Sequence, residues 1–348
     1  MADVGLDVIR FLFQTLQIDP EWSVWSDRGF TWWAENLAQY VWAEPGFQDE
    51  EFTVTRIHVR TDLIDGFAGT DAQLLQLMEF SYLATLSGLI RNPAKPSRIQ
   101  LASSIYIHAE TADWLQRVLV WVAAIQNAEA HRIAPILARL TGTQLALSKH
   151  PRSGPRVVPD DMLNIVEARV GPDGQEPSRY AGQDMLDTLA FFQDPPCVLA
   201  TGGEEGVSAE FPFDNFTSLL KLKTEEPNPW LGHGLLTLLS VPAGESGETN
   251  VAAARLALEL NELELRTLTH SQFLGSWCPG NQALTFVSFL PNAMYLPGLS
   301  RVLVGPAMMA RAAWVAIEVF RVGFDYHRAA AAVAAKKELL AHAAEKAK

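Results

Sequence analysis

Cysteine is nearly absent: the chain of 348 residues has two, Cys197 and Cys278, far apart and outside any CxxC or Cys/His spacing. That argues against a disulfide scaffold and a cysteine-based zinc site, and it fits a reducing compartment. Basic charge is also scarce. Lysine and arginine total 27 against 40 aspartates and glutamates, a formal net charge of −13. A field of that sign repels phosphate backbones and anionic lipid, so nucleic acid and membrane surfaces are not expected partners. No run of eighteen uncharged apolar residues occurs. The N-terminal segment MADVGLDVIRFLFQTLQI is interrupted by Asp3, Asp7, Arg10 and Gln14, with no small-residue cleavage site behind it. Neither a spanning helix nor a secretory leader is expected, and the expected location is the cytoplasm.

Recognisable catalytic and metal-binding phrases are scarce too. None of the eight histidines forms HxH or HExxH, so no metal or cofactor is expected. His58 and His108 fall on expected strands, where a packed histidine is the ordinary reading. The segment Gly275-Ser276-Trp277-Cys278-Pro279-Gly280 is not the GxSxG elbow of a hydrolase. A reactive Cys278 would need a histidine beside it, with His233 or His270 as candidates. The loop Pro227–Gly234 has two prolines and two glycines but no Lys-Ser/Thr, so it is not a phosphate loop.

What is present is an alternation of helical and extended periodicities, and it occurs twice. An amphipathic helix on Val4, Val8, Ile9, Leu12, Phe13 and Leu16 is followed by aromatic-rich extended pieces at 29–34 and 38–43, then by the strand FTVTRIHVRTDL at 52–63. A helix is expected from Asp71 to about Ile90, a strand IQLASSIYIH at 99–108, and a long helix from Thr111 to about Leu140. The second half offers a helix at 182–192, extended pieces at 197–201 and 207–211, and the strand FTSLLKLK at 216–223. An additional strand at 235–241 follows, then a helix at 249–268, the strand ALTFVSFL at 283–290 and a helix at 299–321. The expected fold is α+β: a duplicated two-layer sandwich, each half a mostly antiparallel sheet against helices. The expected division is a first repeat at 1–148, a linker region at 149–180, a second repeat at 181–328, and a solvated helical tail at 329–348 that prolongs the last helix.

Aromatics concentrate in the first half. Trp22, Trp25, Trp32, Trp33 and Trp42 fall within 21 residues. Adjacent Trp32 and Trp33 on a strand point to opposite faces, so if one faces the helices the other faces solvent or a partner, or is covered by a subunit interface or the other half. Trp32, Trp33 and Trp42, with Trp230 and Trp277 in expected loops, are the candidate partner-binding residues.

In element order each half resembles the YbjN-like proteins and type III secretion chaperones. The likeness rests on FTVTRIHV at 52–59, IQLASSIYIH at 99–108, FTSLLKLK at 216–223 and ALTFVSFL at 283–290. It implies small α+β domains that pair through a helix and hold extended peptides, with the tandem copies forming a pseudo-dimer within one chain. The expected function is a non-catalytic protein- or peptide-binding module of chaperone or adaptor type, homo-oligomeric or not. The alternatives are a structural subunit of a larger assembly and a hydrolase-type enzyme using Cys278 and His233.

Overall fold

The computed structural model describes residues 3–49, 51–83, 85–170, 176–214, 216–242, 250–266, 272–280 and 282–346. They form two antiparallel sheets with eight α-helices, an α+β fold, as the alternating periodicities imply.

The chain separates into two compact units. The first comprises residues 1–171, 249–268 and 272–279; the second takes the remainder. In the first, α1 (Val4–Thr15) precedes β1 (Ser23–Ser26), β2 (Gly29–Trp33), β3 (Ala38–Ala43), β4 (Phe47–Asp49) and β5 (Phe52–Asp65). Then come α2 (Asp71–Glu79), β6 (Gly88–Asn92), β7 (Lys95–Ile107), α3 (Ala112–Thr141), β8 (Gln144–Leu145) and α4 (Asp161–Val170). The strand order is β1-β2-β3-β5-β7-β6, with β4 and β8 also pairing with β5. The helix expected to reach Ile90 stops at Glu79, and Gly88–Asn92 is a strand. Asn92-Pro93, read from sequence as the stop of that helix, is part of the turn between β6 and β7. The Asn92 side chain accepts there from the amides of Ala94 and Lys95.

Strand β5 shows why the sheet has a core face and a polar face. Ile57, Val59, Thr61 and Leu63 alternate with Arg56, His58, Arg60 and Asp62, so period-2 geometry puts the first set on one side and the charges on the other. The first set faces α3. Gln126 of α3 is wholly buried there: its amide donates to Val59 O, Ser87 Oγ and Ser103 Oγ, and its carbonyl accepts from Thr61 Oγ1 at 2.8 Å. Helix α3 ends at Gly142, whose left-handed φ of 64° only glycine adopts at little cost.

The second unit holds α5 (Gln183–Gln193), β9 (Leu199–Gly203), β10 (Gly206–Pro212), β11 (Thr217–Lys223) and β12 (Gly234–Pro242). Farther along are α6 (Asn250–Arg266) and β13 (Ser276–Pro279), which belong to the first unit. Then β14 (Ala283–Pro291), α7 (Gly305–Trp314) and α8 (Tyr326–Lys346) complete the second. Its strands run β9-β10-β11-β12-β14. This repeats β1-β2-β3-β5-β7 of the first unit, so β12 occupies the position of β5. The expected match of FTSLLKLK with FTVTRIHV is therefore displaced by one strand, and the segment read as an extra strand carries β12. Each copy inserts a helix and a strand before its last sheet strand: α2 with β6, and α6 with β13.

The expected contiguous halves do not coincide with the compact units. Helix α6 and β13, expected in the second repeat, pack in the first unit on α2 and β6. Side chains of α6 meet the outer edge of β6 where another strand would pair. Asn261 Nδ2 donates to Leu89 O at 3.1 Å, and Glu262 accepts from the Arg91 amide at 3.0 Å while clasping the Arg91 guanidinium. Gly88 is obligatory for this approach, because a Cβ there would lie 2.5 Å from the Phe273 ring. Part of the expected linker likewise belongs to the first unit: α4 packs on α3, and residues 148–160 strap across the end of β2. Residues 171–175 lie outside the described residues.

Ser300–Val319, which includes α7 and its flanking π-helical turns, is long and apolar enough by length and composition to cross a membrane. Half of that window is buried within the protein. Its Arg311 is wholly buried with the guanidinium 3.7 Å from the centre of the Phe286 ring, a core position on the sheet. The tail does not prolong this helix. The chain breaks at 320–325, and α8 starts anew, burying Ala329 and Val333 and pairing Lys336 with Glu210 of β10.

Candidate functional site

The five tryptophans singled out from sequence do not form one surface. Trp32 and Trp277 are wholly buried, and Trp33 is buried at 7% exposure. The expectation that Trp32 or Trp33 stands free is corrected by the strap. Trp33 Nε1 donates to Ser148 Oγ at 3.1 Å, its ring meets His150 edge-on, and Arg156 donates to its carbonyl. Trp277 lies on β13 rather than in a loop, with Nε1 donating to buried Glu264 at 2.8 Å. Trp230 is half-buried in a turn whose amides Asn228 caps. Among the described tryptophans only Trp25, on edge strand β1, is exposed, at 47%; it packs on Phe13 and Phe30.

The Cys278 thiol is wholly buried, donates to Ser276 O, and is pushed up by burial to about 12. A thiol held neutral that far above physiological pH is no nucleophile. Cys278 and His233 belong to different units, and His270 lies outside the described residues.

Two arrangements have chemical content. The first is the polar face of the first sheet. Trp42 of β3 stacks on His58 of β5, ring centres 4.6 Å apart and 16° from parallel, and it also lies 4.9 Å from the Arg60 guanidinium. His58 bonds Glu44 at 2.7 Å; burial nonetheless lowers its pKa, and the same bond lowers that of Glu44. Arg56 donates to Leu265 O and lies over Tyr106, whose hydroxyl burial raises to about 12. Toward the far end Asp62 accepts from Arg98, Gln100 and Tyr40, and Asp65 pairs with Arg98 and Lys95. The spacing Arg56-x-His58-x-Arg60-x-Asp62 was the available sequence signal for this face.

The second lies in the second unit. Cys197, Val198, Phe211, Phe213, Met309, Ala313 and Phe324 line an almost wholly apolar pocket of about 150 Å³. Ligand pockets for drug-sized molecules run from about 300 Å³ upward, so this one fits a single large side chain. Val198 in its wall immediately precedes β9, which among the described residues pairs only with β10 and leaves Thr201 and Gly202 exposed. Across Phe213, a shallower hollow of about 310 Å³ lies between the β10–β11 connection and α8, with Asp214 and Arg328 3.9 Å apart. Sequence reading missed this pocket, because its lining residues come from four separated segments with no common motif.

The chain matches no protein-family model, no curated protein and no solved structure.

Proposed function

We propose that the protein is a non-catalytic binding module of the cytoplasm, chaperone- or adaptor-like, that holds an extended peptide along β9. One large apolar side chain of that peptide sits in the pocket beside Val198. The observation that supports this is the junction of an apolar, side-chain-sized pocket with a strand that, among the described residues, is paired on one side only. An added strand gains affinity from main-chain bonds and specificity from such pockets. Likeness to YbjN-like proteins and type III secretion chaperones belongs to the same proposal, supported by the repeated strand order. So does the pseudo-dimer, supported by the packing of α2 against α6, the equivalent helices of the two copies. The buried Cys278 weighs against the hydrolase alternative.

The test is selection of displayed random peptides on the full chain. Enriched sequences should share one large apolar residue in an extended context. Ala313→Phe, which fills the pocket from its half-buried wall, should weaken them at least tenfold, about 1.4 kcal/mol, with its unfolding temperature kept. In the wild type, bound peptide should slow alkylation of Cys197 in the pocket wall. Equal binding by Ala313→Phe, together with unprotected Cys197, overturns the proposal.

A further inference from the structure

The polar face of the first sheet is balanced at one end and not at the other. At the balanced end two carboxylates, Asp62 and Asp65, meet two cations, Arg98 and Lys95, at ion-pair distance. At the other end the cations are Arg56, Arg60 and Arg266; Glu44 is the carboxylate whose charge reaches Arg60, while Glu264 acts near Arg56 at Tyr106. Glu44 is committed to His58 at 2.7 Å and lies 3.9 Å from Arg56. Arg266, on α6, reaches Glu262 only at 4.0 Å, and that carboxylate is already clasped by Arg91. Glu264 accepts from the Trp277 indole.

Arg60 is the residue left over. Among the described residues no carboxylate lies within ion-pair distance of its guanidinium, and its Nε is buried without a hydrogen-bond partner. The guanidinium lies over the Trp42 ring, 4.9 Å from its centre. Burial, then the like charge of Arg266, lowers its pKa to about 10. A half-buried cation held beside further arginines is costly unless something compensates it. Trp42 supplies part of that by its ring face. A guanidinium held over a ring with its fork unspent presents parallel N–H donors, a geometry that matches the two oxygens of an oxyanion. The chain's net charge is −13, so a cation left without an ion-pair partner at this position is set against the overall field.

We propose that Arg60, on its Trp42 platform and assisted by Arg266, forms a binding site for an oxyanion, the chemistry shared by carboxylates and phosphates. The site is independent of the pocket beside β9. It opens to solvent on the side of Arg266, which is 63% exposed.

The experiment is calorimetric titration of the full-length protein at pH 7.5 and constant ionic strength. Inorganic phosphate and acetate are separate arms, and chloride is the reference. Saturable binding of phosphate or acetate to the wild type is expected, and the stronger arm identifies the class. Arg60→Met should abolish it. Arg60→Lys keeps the charge but loses the fork, and should weaken binding about tenfold; Arg139→Met, an exposed arginine of α3, should change nothing. If Arg60→Met fails to fold, Arg60→Lys and Trp42→Leu carry the test, both with weakened binding. Binding no stronger than chloride in both arms, or unaltered binding in the Arg60 variants, overturns the proposal.

Discussion

Replacing Glu129 by glutamine should make the protein more stable above about pH 5, with the full gain reached above about pH 7. Glu129 sits on α3, wholly enclosed. One carboxyl oxygen accepts from Thr85 and the other has no partner among the described residues. Burial raises its pKa from an ordinary 4.5 to about 7, against the bonds from Thr85, which favour the charge. In the unfolded chain the group ionises near 4.5, so between 4.5 and about 7 the unfolded state releases a proton that the folded state retains. Stability therefore falls as pH rises through that window. The loss is complete above it: a shift of about 2.5 pH units at 1.36 kcal/mol per unit is about 3 kcal/mol. Glutamine mimics the protonated acid and does not titrate. Wild type and Glu129→Gln should thus unfold at nearly the same denaturant concentration at pH 4.5, and differ by up to about 3 kcal/mol at pH 9. His58 and His131, both lowered by burial, add acid-side losses to each protein alike, so the difference between the two isolates Glu129. Urea titrations followed by tryptophan fluorescence suit the measurement, because eight of the ten tryptophans belong to the first unit. Parallel pH profiles for the two proteins would refute the reasoning.

Two further outcomes follow from the packing. Asn261→Ala leaves the Trp277 amide, Leu89 O and Ser276 Oγ without the buried partner that now bridges them, so it should cost about 2–4 kcal/mol in denaturant titrations. With a chromogenic disulfide reagent the native protein should show one reactive thiol, the half-buried Cys197, and the denatured protein two, because Cys278 is enclosed and held neutral.

How much of this could be read from the residues differs by scale. Period-2 alternation marks β5 and β7 clearly, since each has one face against α3. The amphipathic stripe likewise marks α1, α3 and α6. What fails is assignment where packing overrides local pattern. Leu74 to Leu86 keeps an apolar rhythm past the end of α2, but Gly88–Asn92 is taken by the edge of β7. FTSLLKLK shares its opening with FTVTRIHV, yet sheet neighbours fix equivalence, and β12, beside β14, is the counterpart of β5. The tryptophans mislead for a related reason. Composition does not say that 148–160 returns to cover Trp33, or that Trp277 lies on a strand, β13, packed against α6. The balanced and unbalanced charges of Arg98 and Arg60 are likewise invisible until a register is known, because the partners are contributed by β3, β7 and α6.

The placement of α6 and β13 has a consequence for synthesis. The first unit's own stretch ends at residue 171, but the helix that closes β6 is not complete until residue 266, and β13 ends at 279. From 171 to 279 is 108 residues, about 5–20 s of translation. Throughout that interval the nascent protein displays the backbone of Leu89 and Arg91 as a bare strand margin, with the apolar surroundings of Gly88 open to water. The ribosome thus releases a sheet whose last seam is stitched by sequence from beyond the second copy's fourth strand.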